Sequence, residues 1–118
     1  MNSLSDKDGY SNDIIKLFNG GQIKKFTNND DLQFDITNII MNADFIDSGF
    51  ALDQQKTTTV PTLSNQDVSH SNLRLDYAYI SESLKNNLDS YKVIKNELTD
   101  KASDHYPVVI ELKNLSVI

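Results

Sequence analysis

The sequence has 118 residues, of which 38% are hydrophobic and 24% are charged, a size that suits one domain but not two. Its formal net charge of −6 argues against sequence-independent binding to long nucleic acids, which requires clustered Lys and Arg. The absence of cysteine excludes disulfides and thiolate metal sites. No apolar run approaches the roughly 18 residues that a membrane span requires.

Two short amphipathic helices are predicted in the first half of the chain. Apolar residues recur at helical spacing over residues 14–18, and the run Asn19-Gly20-Gly21 is expected to end this first helix. A second apolar stripe covers residues 36–43, with Asp35 or Thr37 as its cap. Both stripes are narrow, so each helix should pack on a larger apolar surface, most simply one face of a sheet.

The stretch 52–72 is rich in Thr, Ser, Gln and Asn. The run 57–62 predicts a short edge strand, since it contains Pro61, and a long loop follows it. A connection of this length inside one domain is usually functional or mobile. His70 falls in the loop, where an exposed histidine is favoured over a ligand.

Three strands are predicted in the second half, at residues 73–80, 91–95 and 108–112, with a helical turn between the first two. Their short connections favour an antiparallel meander. The predicted fold class is therefore α+β, with a mainly antiparallel sheet and about two helices on one face.

Titratable residues cluster in sequence at two of these strands. Asp76 lies within the first strand and is expected to be substantially buried, so it needs a partner. His105, in the turn before the last strand, can be that partner, and the adjacent Asp104 could hold a hard cation. Composition and periodicity alone favour the alternative, in which Asp76 pairs with Arg74 or a lysine and His105 bonds to a backbone carbonyl.

Two longer motifs change that balance. The first is Arg74-Leu75-Asp76-Tyr77-Ala78-Tyr79-Ile80-Ser81, and the second is Ala102-Ser103-Asp104-His105-Tyr106-Pro107 with the apolar strand that follows. In this order they resemble the C-terminal signature of the endonuclease/exonuclease/phosphatase superfamily, the DNase I-like nucleases and phosphatases. The resemblance is best over residues 73–112.

Weaker similarities precede this region. Residues 43–48 resemble the helix end after the family's central motif, and residues 59–62 resemble its Thr-x-Pro loop. Asn2 would be the last residue of the family's Gly-Asp-x-Asn motif. The resemblance therefore implies that residues 1–118 form a single partial domain, the C-terminal half of a four-layered α/β sandwich, whose N-terminal half carries the metal-binding Glu.

The resemblance also implies a role for each candidate residue. His105 would contact the scissile phosphate and stabilise its developing charge, and Asp76 would orient His105. Asp104 would help to bind a metal ion or the attacking water, and Asn2 would bind the phosphate or the nucleophile. The implied cofactor is Mg²⁺ or Mn²⁺, held weakly at most, because half of the ligand set is missing.

The leading hypothesis is thus that the chain is part of a Mg²⁺-dependent phosphoesterase, which acts on nucleic acid, a nucleotide or a phospholipid or inositol-type ester. The chain alone would be inactive or nearly so. Its partners would be the phosphate-ester substrate and the other half of the domain. An isolated half-domain should also self-associate through its uncovered surface. The alternative is a non-catalytic α+β binding or interaction module.

Overall fold

The computed structural model describes residues 2–67 and 69–114, so Met1, Val68 and residues 115–118 of the predicted domain lie outside it. The described α-helices are α1 (Gly20–Phe26), α2 (Asp35–Asn42), α3 (Ser48–Ala51) and α4 (Thr99–Ala102). Short 3₁₀ helices cover Asp6–Asp8, Asn12–Leu17, Leu63–Asn65 and Glu82–Asn87. The strands are β1 (Thr27–Asn28), β2 (Asp31–Leu32), β3 (Phe45–Asp47), β4 (Tyr79–Ser81), β5 (Leu88–Val93) and β6 (Val108–Leu112). No helix in this part of the chain is both long and apolar enough to cross a membrane.

The strands pair in three separate two-stranded antiparallel sheets, β1 with β2, β3 with β4, and β5 with β6. The α+β class and the antiparallel pairing are confirmed. The single meander is not formed in the described chain, because β4 pairs with β3, where Ile46 lies opposite Ile80. β5 and β6 do form the expected hairpin-like pair, with Tyr91 opposite Ile110.

The predicted strand at 73–80 is mostly irregular. Only its end belongs to β4, and Leu73 makes an isolated bridge with Val60. The backbone N–H groups in between bond to side chains instead of to a strand: Arg74 donates to the Tyr10 hydroxyl at 2.8 Å, and Leu75 donates to the Thr59 hydroxyl at 2.9 Å. Side-chain acceptors thus replace a sheet ladder in this segment.

The first predicted helix is the 3₁₀ helix Asn12–Leu17, and it ends before Asn19, as expected. Gly20 and Gly21, however, begin a second helix, α1, which was not predicted. A capping box starts α1, since Gln22 N donates to Asn19 Oδ1 at 2.9 Å and Asn19 N donates to Gln22 Oε1 at 3.0 Å. These two bonds offset the low helix propensity of the glycines.

Helix α2 is confirmed, but its cap differs from the prediction. Phe34 occupies the cap position, and neither Asp35 nor Thr37 caps the helix. Thr37 is fully buried, and its hydroxyl donates to Leu4 O at 2.8 Å. Thr37 therefore ties α2 to the N-terminal segment.

The main apolar core combines distant parts of the chain. Phe18 and Phe26 pack with ring centroids 5.6 Å apart, which joins the end of the 3₁₀ helix Asn12–Leu17 to α1. The buried members of this core are Leu4, Phe18, Phe26, Val60, Leu73 and Leu75. Each such side chain contributes about 1.5–3 kcal/mol when fully buried, so these contacts hold the short elements together.

A buried charge network lies beside this core. The guanidinium of Arg74 is fully buried and donates to both oxygens of Asp8, at 3.0 and 2.7 Å, and to both oxygens of Asp47, at 2.8 and 2.6 Å. Burial disfavours the charged form of Arg74, but the hydrogen bonds and charges of Asp47 and Asp8 outweigh it and raise the pKa of Arg74. Arg74 is therefore ionised and doubly paired.

Close packing around Arg74 explains why residue 49 is a glycine. A Cβ on Gly49 would lie 2.8 Å from Arg74 Nη1 and 2.9 Å from the Tyr91 ring. Neither neighbour can move easily, because the guanidinium is held by four hydrogen bonds and Tyr91 is buried. Only glycine fits at this position.

We expect Asp8→Asn to lower the free energy of unfolding by about 2–3 kcal/mol, because it removes one of the two charges that compensate buried Arg74. Urea unfolding followed by circular dichroism measures the change. Asp13→Asn is the matched control, since Asp13 pairs with Lys16 at 3.8 Å on the surface, where both side chains are more than four-fifths exposed. Equal effects of the two substitutions would contradict a structural role for the Arg74 network.

Candidate active site

Asp76 and His105 are in direct contact. His105 Nδ1 lies 2.7 Å from Asp76 Oδ2, and the side chains are 28% and 35% exposed respectively. Asp76 is thus less buried than its predicted place inside a strand implied. When Nδ1 carries the proton, it donates a hydrogen bond to the Asp76 carboxylate, which fixes the ring orientation and leaves Nε2 for another partner.

The competing pairing of Asp76 with Arg74 does not form. The guanidinium of Arg74 forms its ion pairs with Asp8 and Asp47. Sequence reasoning did not identify these two partners, because Asp8 is 66 residues away and Asp47 is 27 residues away from Arg74. The arrangement leaves the Asp76 carboxylate to His105.

The other candidate residues meet at one pocket of about 200 Å³. Asn2, Asp104 and His105 all line it, although Asn2 comes from the opposite end of the sequence. Asn2 is exposed and Asp104 is half-buried. The structure therefore brings together three of the four candidate residues at the pocket, with the fourth, Asp76, bonded to His105.

Thr59 connects the two segments that carry the pair. Its hydroxyl accepts from Leu75 N at 2.9 Å and from Asp76 N at 3.3 Å, and its carbonyl oxygen accepts from Tyr106 N at 2.8 Å. Thr59 is fully buried. One residue thereby sets the separation between the backbones next to Asp76 and His105.

Thr62 and Asn65 hold the loop before His105 from the other side. The Thr62 hydroxyl donates to Ser103 O at 2.6 Å, and Asn65 Nδ2 donates to the same oxygen at 3.1 Å. Thr62 N also donates to Asp104 O at 3.2 Å. The stretch predicted to be a long loop therefore supports the candidate site, because residues 62–65 are hydrogen-bonded to the loop that precedes His105.

Tyr106 completes this support. Its hydroxyl donates to Asp100 and accepts from Leu63 N at 3.0 Å. Tyr106 is buried, with the Lys95 ammonium 5.2 Å from its ring centroid. Residues on both sides of His105 are thus anchored.

Helix α1 supplies a wall of the pocket that sequence reasoning missed. Gln22, Lys25 and Phe26 line it, and Gln22 Nε2 donates to Ser69 Oγ at 3.0 Å. The Asn19-x-x-Gln22 spacing was the available signal for this helix, because it is that of a capping box. His70, by contrast, is exposed, as predicted, and does not line this pocket.

The donors for a metal ion are few. Across residues 2–67 and 69–114, no group of three or more His, Asp or Glu side chains is arranged to hold a metal. Asp104 and Asn2 do offer oxygen atoms at the pocket, which are the ligand type that Mg²⁺ prefers. This partial set fits an ion that keeps most of its water, and it does not form a closed metal site.

Comparisons with models of known protein families and with curated proteins find no match to this chain.

We expect Thr59→Val to disrupt the support of the site, because it leaves the buried N–H of Leu75 and the partly buried N–H of Asp76 without their acceptor. The expected cost is about 1–3 kcal/mol of unfolding free energy, with a change in the His105 ring ¹⁵N shifts measured by NMR. Thr59→Ser keeps the hydroxyl and should retain those shifts. Unchanged His105 signals in Thr59→Val would contradict the positioning role.

Proposed function

We propose that this chain is part of a Mg²⁺-dependent phosphoesterase of the endonuclease/exonuclease/phosphatase type. The observation that carries the proposal is the 2.7 Å contact between Asp76 and His105, with His105 lining a pocket shared with Asn2 and Asp104. A carboxylate–histidine pair beside polar side chains in a pocket is suited to phosphate chemistry.

The proposed steps follow from charge and geometry. Hydrolysis places negative charge on the phosphate oxygens, and a protonated His105 donates from Nε2 to one of them while Asp76 steadies the imidazolium. The Asn2 amide donates to the phosphate or positions the nucleophile. Asp104 accepts a hydrogen bond from the attacking water and thereby aims the water oxygen at phosphorus. As that oxygen bonds to phosphorus, the P–O bond to the leaving alkoxide breaks, and the proton that the water loses reaches the leaving oxygen through solvent.

Asp104 is also the proposed ligand for Mg²⁺ or Mn²⁺. When bound, such an ion supplies charge neutralisation on the phosphate oxygens. The described residues hold too few ligands for tight binding, so we propose that the remaining ligands come from the other half of the domain.

The size of the pocket bears on the class of substrate. A pocket of about 200 Å³ is smaller than most sites for drug-sized ligands, and it suits a phosphate group with the atoms next to it. Esters of nucleic acids, nucleotides and phospholipid or inositol type all present such a group.

Self-association of the chain alone also stays a prediction of this proposal.

We expect His105→Ala to reduce phosphoesterase activity by about 10²–10⁴-fold, because it removes the group that stabilises the developing charge. The measurement is hydrolysis of p-nitrophenyl and bis-p-nitrophenyl phosphate with Mg²⁺ by the full-length product of the gene. His70→Ala is the matched control, since His70 is the other of the two histidines and does not line the pocket.

Two results would contradict the proposal. One is the absence of hydrolysis of any ester by the full-length protein with Mg²⁺, and the other is equal activity of the His105 and His70 variants. Either result would favour the non-catalytic binding module, in which the Asp76–His105 pair only stabilises the fold.

We expect Mn²⁺ at on the order of millimolar concentration to broaden the NMR signals of Asp104 and His105, because one carboxylate binds a hard cation weakly. Asp104→Asn should remove most of this broadening. Asp13→Asn, on an exposed 3₁₀ helix that does not line the pocket, should leave it unchanged. Broadening that survives in Asp104→Asn would place the ion elsewhere.

A further inference from the structure

Helix α1 brings a fixed positive charge to the pocket. Lys25 lines it together with Asp104 and His105, and no other Lys or Arg appears among its described lining residues. None of the ion pairs of the described chain involves Lys25, whose side chain is exposed. Its ammonium is therefore available to a ligand.

The backbone that carries Lys25 is held firmly. Gln33 Nε2 donates to Lys25 O at 2.7 Å, and the capping box at Asn19 secures the start of the helix. The next residue, Phe26, is buried in the core. A substitution of the Lys25 side chain should thus leave its surroundings in place.

The negative net charge of the protein makes a local cation important for phosphate binding. A net charge of −6 repels a phosphate group at long range, and Asp104 adds a negative charge at the pocket itself. A cation at the pocket itself offsets this repulsion, and the Lys25 ammonium supplies one.

An apolar surface lies next to this charge. Phe26, Val60, Pro61 and Leu75 line the same pocket, and all four are buried. An inorganic anion gains nothing from such a surface, whereas the carbon atoms of an ester gain by leaving water. The pocket therefore combines one cation with an apolar wall.

We propose that Lys25 is a specificity-determining residue, which binds the phosphate of a compact organic phosphate ester whose carbon portion packs on the wall of Phe26 and Pro61. This inference rests on the proposed function and deepens it, because it names the substrate class. A small ester of this kind fits the pocket, whereas a long duplex would need a wider basic surface.

The test compares Lys25→Met with Lys24→Met. Both lysines are in the last turn of α1, both are exposed, and both substitutions change the net charge by the same amount, but only Lys25 lines the pocket. The dissociation constants of inorganic phosphate and phenyl phosphate are measured by NMR titration of each variant.

We expect Lys25→Met to weaken binding of both probes by about tenfold, the scale of one charge-assisted hydrogen bond, and Lys24→Met to change it little. Phenyl phosphate should bind more tightly than inorganic phosphate. In the full-length protein, Lys25→Met should raise KM for phenyl phosphate by a similar factor with little change in kcat.

Equal weakening by both substitutions would overturn the proposal, since it would show a general charge effect. Absence of phosphate binding, or equal affinity for the two probes, would also overturn it. The full-length protein could also bind the ester in a Lys25-dependent way and yet hydrolyse nothing. That result would support the ester pocket and contradict the proposed hydrolysis, so failure of this inference can be told from failure of the proposed function.

Discussion

The fold depends on the buried guanidinium of Arg74. Its two carboxylate partners come from the N-terminal 3₁₀ helix, through Asp8, and from the end of β3, through Asp47. Three segments far apart in sequence are thereby held at one point by four hydrogen bonds. Tyr77 reinforces the junction, because its ring lies 4.7 Å from the guanidinium carbon and its hydroxyl donates to Ser3 O. Replacing the charge by an apolar side chain would leave both carboxylates buried without a partner.

This junction fixes one half of the candidate site. Asp76 lies two residues after Arg74, in a segment whose N–H groups bond to side chains and not to a neighbouring strand. Thr59 then joins that segment to the loop of His105. The contact between Asp76 and His105 is therefore set by a chain of buried hydrogen bonds that starts at an ion pair. The irregular segment leaves the Asp76 carboxylate bonded to His105, which lines the pocket.

The charges of the site act locally and not through the protein as a whole. An acidic chain draws no phosphate from a distance, so any affinity for one must come from groups at the pocket. His105 and Lys25 are such groups, and they are supplied by the loop before β6 and by α1. In the function that we propose, the pocket selects by short-range contacts and by its apolar wall, which is a different mode of recognition from the broad basic groove of a protein that binds long nucleic acids.

Local pattern determined part of this protein. The apolar run of β6, the stripe of α2 and the α+β class are readable because periodicity and burial act over a few residues. Asp76, Asp104 and His105 are recognisable from their positions at predicted strands and from the two motifs, and Asn2 from the family resemblance alone. Tertiary structure decided the rest: which strand pairs with β4, that the segment after Leu73 takes side-chain acceptors, and that Lys25 reaches the same pocket. These depend on partners tens of residues away, such as Asp8 for Arg74 and Thr59 for Asp76, and no periodicity within a segment specifies which distant side chain will satisfy a buried donor.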